Sequence, residues 1–208
     1  MHSGCVFCLV QDDLELKEEF YNEPMLVGKY HYVLPGIGAL RPGYSLLITK
    51  THVRNFSILP EDWIDEYTIF FNTLKDFTTE VYGECNVFEH GSFGDGSGGC
   101  IDHAHIHFLG ADVRLSDHLL NNFEHTVESD NPVLLKDNNR KYLFASDSSG
   151  GILAFPNKDL ERQYLRRVVA QDLGKPEKWD YRVHFEIENV EKTVSAFKKW
   201  FSKMPAGK

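Results

Sequence analysis

Between residues 102 and 110 the chain alternates strictly between two kinds of side chain. His103, His105 and His107 take one parity, and Ala104, Ile106 and Phe108 take the other. Period-two alternation sends the two sets to opposite faces of a β-strand, and the β-branched and aromatic neighbours favour the same state. Residues 29–34 ("KYHYVL"), 44–50 ("YSLLITK") and 85–90 ("CNVFEH") predict three further strands. The turn formers of "PGIGALRPG" join the first two into a hairpin. From Pro60 the period changes. Trp63, Tyr67, Phe70, Phe71, Leu74, Phe77 and Val81 recur at steps of three and four up to Gly83, with Glu61 and Asp62 near the start, which predicts one long helix. Such a helix would cover the sheet face toward which Ala104, Ile106 and Phe108 point.

Beyond residue 112 the patterning is weaker. "KYLFAS" and "GILAFP" predict two short strands about the turn "DSSGG". Asn157 is the expected N-cap of a helix over "KDLERQYLRRVVAQDL" that Gly174 and Pro176 end, and Val190, Val194, Phe197 and Phe201 mark one face of a last helix. Gln163, Arg166 and Arg167 fit either a solvated face or phosphate contacts. The fold class expected is α+β, an antiparallel sheet backed by a long helix, with a core over 1–112 and a C-terminal α/β extension over 113–208 packed on it.

A formal net charge of −9 opposes a broad electrostatic footprint for long nucleic acids, but leaves room for a local pocket that takes a small anion. No apolar run reaches membrane-spanning length, and "MHSGCVFCLV" lacks the basic and long apolar regions of a signal peptide, so no membrane association and a cytoplasmic location are expected. In that setting the four cysteines, with Cys5 and Cys8 in C-x-x-C spacing, are metal ligands or free thiols and not a disulfide framework.

At about 3.3 Å per residue, His103 and His107 would lie about 13 Å apart along a strand, too far for all three rings to share one ion, so the histidines need at least two roles. The loop "GSFGDGSGG" ahead of them holds five glycines in nine residues. Its backbone N–H groups could approach a phosphate closely, with Ser92, Gly98 and Gly99 as candidate contacts, or it could be a hairpin connection. Ser92, Glu89 and His90 are candidates to orient a substrate or leaving group, and His90 fits a structural hydrogen-bonding residue equally well.

"HAHIHFLG" resembles the signature of the histidine triad superfamily, and "RPGYSLLITKTHV" is similar to that family's upstream landmark, Pro-Gly-His-x-Leu-Val-x-Pro-Lys-x-His. Tyr44 stands where many members have His, Thr49 where they have Pro, and Gly99 where Gln is common. The resemblance covers residues 5–110, and "RQYLRRVVAQDLG" with "WDYR" is more faintly similar to C-terminal segments of related proteins.

The resemblance implies a nucleotide hydrolase or nucleotidyltransferase that acts at an α-phosphate of a small nucleotide or dinucleotide. His105 matches the nucleophile, which forms a nucleotidyl-histidine intermediate, and His107 matches the residue that contacts phosphate oxygens. The family's zinc-bearing branch implies a structural zinc held by Cys5, Cys8, His52 and His103, a closed two-thiolate, two-imidazole set. It also implies a homodimer. Two other readings remain at this point: a metal-dependent hydrolase in which His103 and His105 bind a catalytic ion, and a nucleotide-binding module without turnover.

Overall fold

The structure, a computed structural model, describes residues 5–12, 19–91, 101–134 and 140–204. Eight strands form one sheet: β1 (Leu26–Val27), β2 (His31–Pro35), β3 (Ser45–Thr49), β4 (Asn86–Gly91), β5 (His105–Leu109), β6 (Thr126–Glu128), β7 (Tyr142–Asp147) and β8 (Gly150–Ala154). Their order across the sheet is β1-β2-β3-β5-β4-β7-β8-β6, and every neighbouring pair is antiparallel. The α+β class is the one the patterning predicts. Strands from beyond residue 112 continue this sheet, because β7 pairs with β4 from Val87↔Ser146 to Gly91↔Tyr142.

Alternation divides the strand residues between two apolar layers. Val33, Leu47, Ile106, Phe108, Val87, Phe144 and Leu153 meet Tyr67, Phe70, Phe71, Leu74 and Phe77 of α2 (Ile64–Tyr82). That helix starts with Asp65 and Glu66 in its first turn, where carboxylates suit the dipole, and stops at Gly83, whose φ of 87° is open to glycine at little cost. The last helix, α5 (Ile187–Phe201), docks beside it through Phe197, whose ring lies edge-on to Phe77 at 5.0 Å. Phe201, expected on the buried face, is 44% exposed at the helix end.

On the opposite sheet face Phe88, Leu143, Ala145, Ile152 and Ala154 pack against α3 (Leu115–Asn122) and α4 (Tyr164–Asp172). At the other end of that face Phe7, from α1 (Val6–Asp12), packs on Tyr32, Leu34 and Ile48. The site lies between these two packed regions.

Two expected boundaries move. The strand predicted over 102–110 enters the ladder only at His105: residues 102 and 103 form a bend, and Ala104 N donates to Val53 O at 2.6 Å rather than to a neighbouring strand. Asn157 does not cap α4. The helix begins at Tyr164 after Gln163, which takes a left-handed φ of 55°. The side chains of Gln163 and Arg166 bond to each other and to residues 179 and 180, so tertiary contacts outside the segment set its start.

Candidate functional site

β5 runs between β3 and β4, with His105 opposite Ile48 and His107 opposite both Leu46 and Phe88. Both imidazoles point away from α2, toward the face that carries α1 and α4. Their ring centroids are 4.8 Å apart. A cavity of about 120 Å³ opens there, bounded by Val6, Phe7 and Val10 of α1, by Leu34, Leu46, Phe88 and His90 of the sheet, and by Gln163, Tyr164, Leu165 and Arg166 at the start of α4. His105 and His107 both line it.

His105 Nδ1 lies 2.6 Å from the carbonyl oxygen of His103. A carbonyl only accepts, so Nδ1 carries the proton and donates it, and Nε2 is left with a free lone pair. Burial lowers the pKa of this imidazole, which favours the neutral ring that such a lone pair requires. His107 makes a different bond: its Nδ1 is 2.8 Å from the Tyr44 hydroxyl, and its ring stacks on Phe88 at 4.5 Å and 9°. Burial lowers its pKa as well. His90 lines the same cavity, with its pKa lowered to about 4 by burial.

His103 turns to a different group. Its Nδ1 is 3.3 Å from Cys5 Sγ and 3.7 Å from Cys8 Sγ, and His52 Nδ1 is 3.5 Å from Cys8 Sγ. All four donor atoms lie within 4.8 Å of one another. Tetrahedral zinc with bonds of about 2.3 Å to sulfur and 2.05 Å to nitrogen places S and N roughly 3.6 Å apart, and the three S···N separations bracket that value. The other ring nitrogen is placed to match: His103 Nε2 donates to Thr49 O at 2.8 Å, which leaves Nδ1 unprotonated toward the thiols. The four residues lie close enough, with suitable donor atoms, to bind a metal ion. Helical spacing brings Cys5 and Cys8 to one side of the first turn, so Phe7 between them reaches the histidines, edge-on to His103 at 5.6 Å and to His105 at 5.2 Å.

Glu89, expected to orient substrate, is on the other sheet face, because alternation puts it opposite in sense to Phe88 and His90. There it accepts from Phe56 N at 3.0 Å and from the Tyr142 hydroxyl, and burial raises its pKa to about 8. Ser92, Gly98 and Gly99 lie outside the described residues. Arg167 stacks over Trp179 and pairs with Glu161 away from the histidines, whereas Arg166 is buried and bonds Tyr44. Two contributors were not identified from sequence. Phe7 carried a signal in its position inside C-x-x-C; the partnership of Tyr44 with Arg166 carried none, because 122 residues separate them.

No protein-family model and no curated protein matches the chain. Among solved structures it is similar to a histidine triad family hydrolase from Clostridium thermocellum, at 20% identity and a TM-score of 0.39 over 53% of this chain and 93% of that one. A histidine triad nucleotide-binding protein from Sulfolobus tokodaii matches at 15% identity and a TM-score of 0.46, over 98% of this chain and 99% of that one. Yeast Ap4A phosphorylase in complex with AMP matches at 16% identity and a TM-score of 0.39, over 66% and 60%. Histidine triad proteins, whose signature "HAHIHFLG" resembles, are thus among the structures this chain is similar to. The TM-scores are below 0.5, so the chemistry of the site rests on its own geometry. No helix among the described residues is long and apolar enough to cross a membrane.

Proposed function

We propose that the chain is a histidine-triad enzyme that cleaves a small nucleotide or dinucleotide at its α-phosphate, as a hydrolase or nucleotidyltransferase. The observation that carries the proposal is the His105 imidazole, whose Nδ1 proton is committed to the His103 carbonyl while the ring borders the cavity. In the first step the Nε2 lone pair attacks the α-phosphorus, the P–N bond forms as the bond to the leaving-group oxygen breaks, and the leaving group departs with that bond's electron pair. In the second, water or another acceptor hydroxyl attacks the same phosphorus as the P–N bond breaks, its proton passes to solvent, and His105 is released with its lone pair restored. His107 meets the phosphate oxygens as charge spreads over them. Ser92, Gly98 and Gly99 would add contacts from the glycine-rich loop.

Cys5, Cys8, His52 and His103 would hold zinc as a closed, structural site that orders α1 against the sheet and takes no part in either step. The arrangement gives little support to a catalytic ion shared by His103 and His105, because His103 Nδ1 faces the thiols and His105 Nδ1 is bonded to a carbonyl. The division of the chain into a core over 1–112 and an extension over 113–208 belongs to the same proposal. So does a homodimer, for which sedimentation at micromolar concentration should give twice the chain mass; a monomer there removes it.

Replacement of His105 by alanine tests the reaction. Turnover of dinucleoside polyphosphates should fall by roughly 10³-fold or more while the melting temperature and nucleotide affinity stay close to wild type. Turnover at the wild-type rate in that variant would exclude the covalent route.

A further inference from the structure

We infer that Arg166, acting through Tyr44, is a positioning residue that keeps the His107 proton on Nε2, directed at the phosphate being transferred. The inference rests on the nucleotidyl-transfer reading of the site.

Arginine has five N–H donors and no acceptor, so the 2.8 Å contact between Arg166 Nη1 and the Tyr44 oxygen is a donation from Arg166. With that lone pair engaged, the Tyr44 proton is free to go to His107 Nδ1, also at 2.8 Å. Among the described residues no other acceptor meets this hydroxyl, and Tyr44 is 1% exposed. The opposite arrangement, with His107 Nδ1–H donating to the same oxygen, would leave a buried O–H with nowhere to point, which is costly. A neutral imidazole that accepts at Nδ1 carries its proton at Nε2.

Arg166 is itself held rigidly. Its Nε donates to Gln163 Oε1 at 3.2 Å and to Trp179 O at 3.1 Å, and Nη2 donates to Gly38 O at 2.8 Å. All four acceptors are neutral, so the guanidinium charge remains to polarise the Tyr44 O–H bond toward His107. The same charge, added to burial, opposes protonation of His107. The ring is thereby kept neutral, and its tautomer decides what it offers. Stacking on Phe88 fixes the ring plane, and with it the direction of Nε2. His105 and His107 then present complementary atoms: a lone pair that attacks, and a donor that meets charge developing on phosphate oxygen. The residue that sets the second comes from α4, beyond the core strands.

The test combines nitrogen NMR of 15N-histidine-labelled protein with kinetics on a dinucleoside tetraphosphate. Two-bond couplings show which ring nitrogen is protonated. Wild type should show His107 protonated on Nε2 and His105 on Nδ1. Tyr44→Phe, which keeps the ring and removes only the hydroxyl, should shift His107 toward the Nδ1-protonated form and leave His105 unchanged, while kcat falls roughly 10-fold to 100-fold with KM within about threefold. Arg166→Met should move the tautomer in the same direction, and Arg166→Lys should restore part of it. Thermal unfolding identifies any variant that fails to fold; Tyr44→Phe then decides alone. A His107 tautomer unchanged in folded Tyr44→Phe overturns the relay whatever the turnover. A wild-type protein with the expected tautomers that cleaves no dinucleotide overturns the phosphate-directed role, and the reaction assigned to the site fails with it.

Discussion

Withdrawal of metal from the Cys5, Cys8, His52 and His103 cluster should release residues 5–12 while the sheet stays folded. Helix α1 has seven residues, below the roughly 12–15 that an isolated helix needs in water. Phe7 and Val10 are its buried apolar side chains, at 5% and 6% exposure. Burial of two such side chains contributes about 3–6 kcal/mol, whereas ordering eight residues of backbone costs about 8–16 kcal/mol. Packing alone therefore falls short, and in the proposed zinc site metal bonds to Cys5 and Cys8 would supply what is missing. Hydrogen exchange read by mass spectrometry, on zinc-loaded protein and on protein treated with a strong chelator, measures this directly. Amides of residues 6–12 should lose at least about tenfold in protection, including Leu9 N, which bonds Cys5 O at 3.0 Å, while β2, β3 and β5 keep theirs. At free zinc a thousandfold above its dissociation constant the ion is worth about 4 kcal/mol, so its removal should lower the melting temperature of a chain this size by roughly 8–16 °C. Turnover should fall too, since Phe7 would no longer support the edge of His105. Equal protection of residues 6–12 with and without metal would show that no ion anchors α1 and return Cys5 and Cys8 to free thiols.

Phe77→Ala should cost about 3–5 kcal/mol and lower the melting temperature by roughly 6–20 °C, because a fully buried ring that joins α2 to Phe197 and Trp200 leaves a cavity. Calorimetry showing a loss under 1 kcal/mol would mean that α5 is not held there. Glu89 predicts a pH dependence of stability. Burial raises its folded-state pKa from 4.5 to about 8, so the folded protein keeps a proton that the unfolded chain releases, and stability falls as pH rises between those values, by on the order of 5 kcal/mol at most. Glu89→Gln should flatten that part of a denaturation profile, and an unchanged slope would show that the carboxyl is already ionised in the folded state.

Local periodicity was enough to read six of the eight strands and the main helix, whereas β1 and β6, of two and three residues, are too short to show a period. Ala104, Ile106 and Phe108 face α2 because alternation leaves them no other side, and Tyr67, Phe70, Phe71, Leu74 and Phe77 recur at helical steps. The histidines and the C-x-x-C pair could be singled out because their spacing is unusual. What stayed illegible depends on contacts between distant segments. The start of α4 is fixed by Gln163 and Arg166 bonding to residues 179 and 180, so the capping signal at Asn157 misled. Glu89 sits next in sequence to a cavity residue and yet faces the other layer, a distinction that needs the strand register. Arg166 fitted either a solvated helix face or a phosphate contact, because nothing near it in sequence shows that its guanidinium reaches Tyr44 and Gly38.

In the proposed reaction His105 Nε2 becomes covalently bonded to the α-phosphorus of a nucleotide. That step is tested most directly by acid-free rapid quenching of the wild-type enzyme with a dinucleoside polyphosphate, followed by peptide mass spectrometry. An adduct of one nucleoside monophosphate should appear on the peptide that carries His105, stable to base, labile to acid and absent from His105→Ala. Turnover by wild-type protein with no adduct at any quench time, or an adduct mapped to another residue, would contradict it.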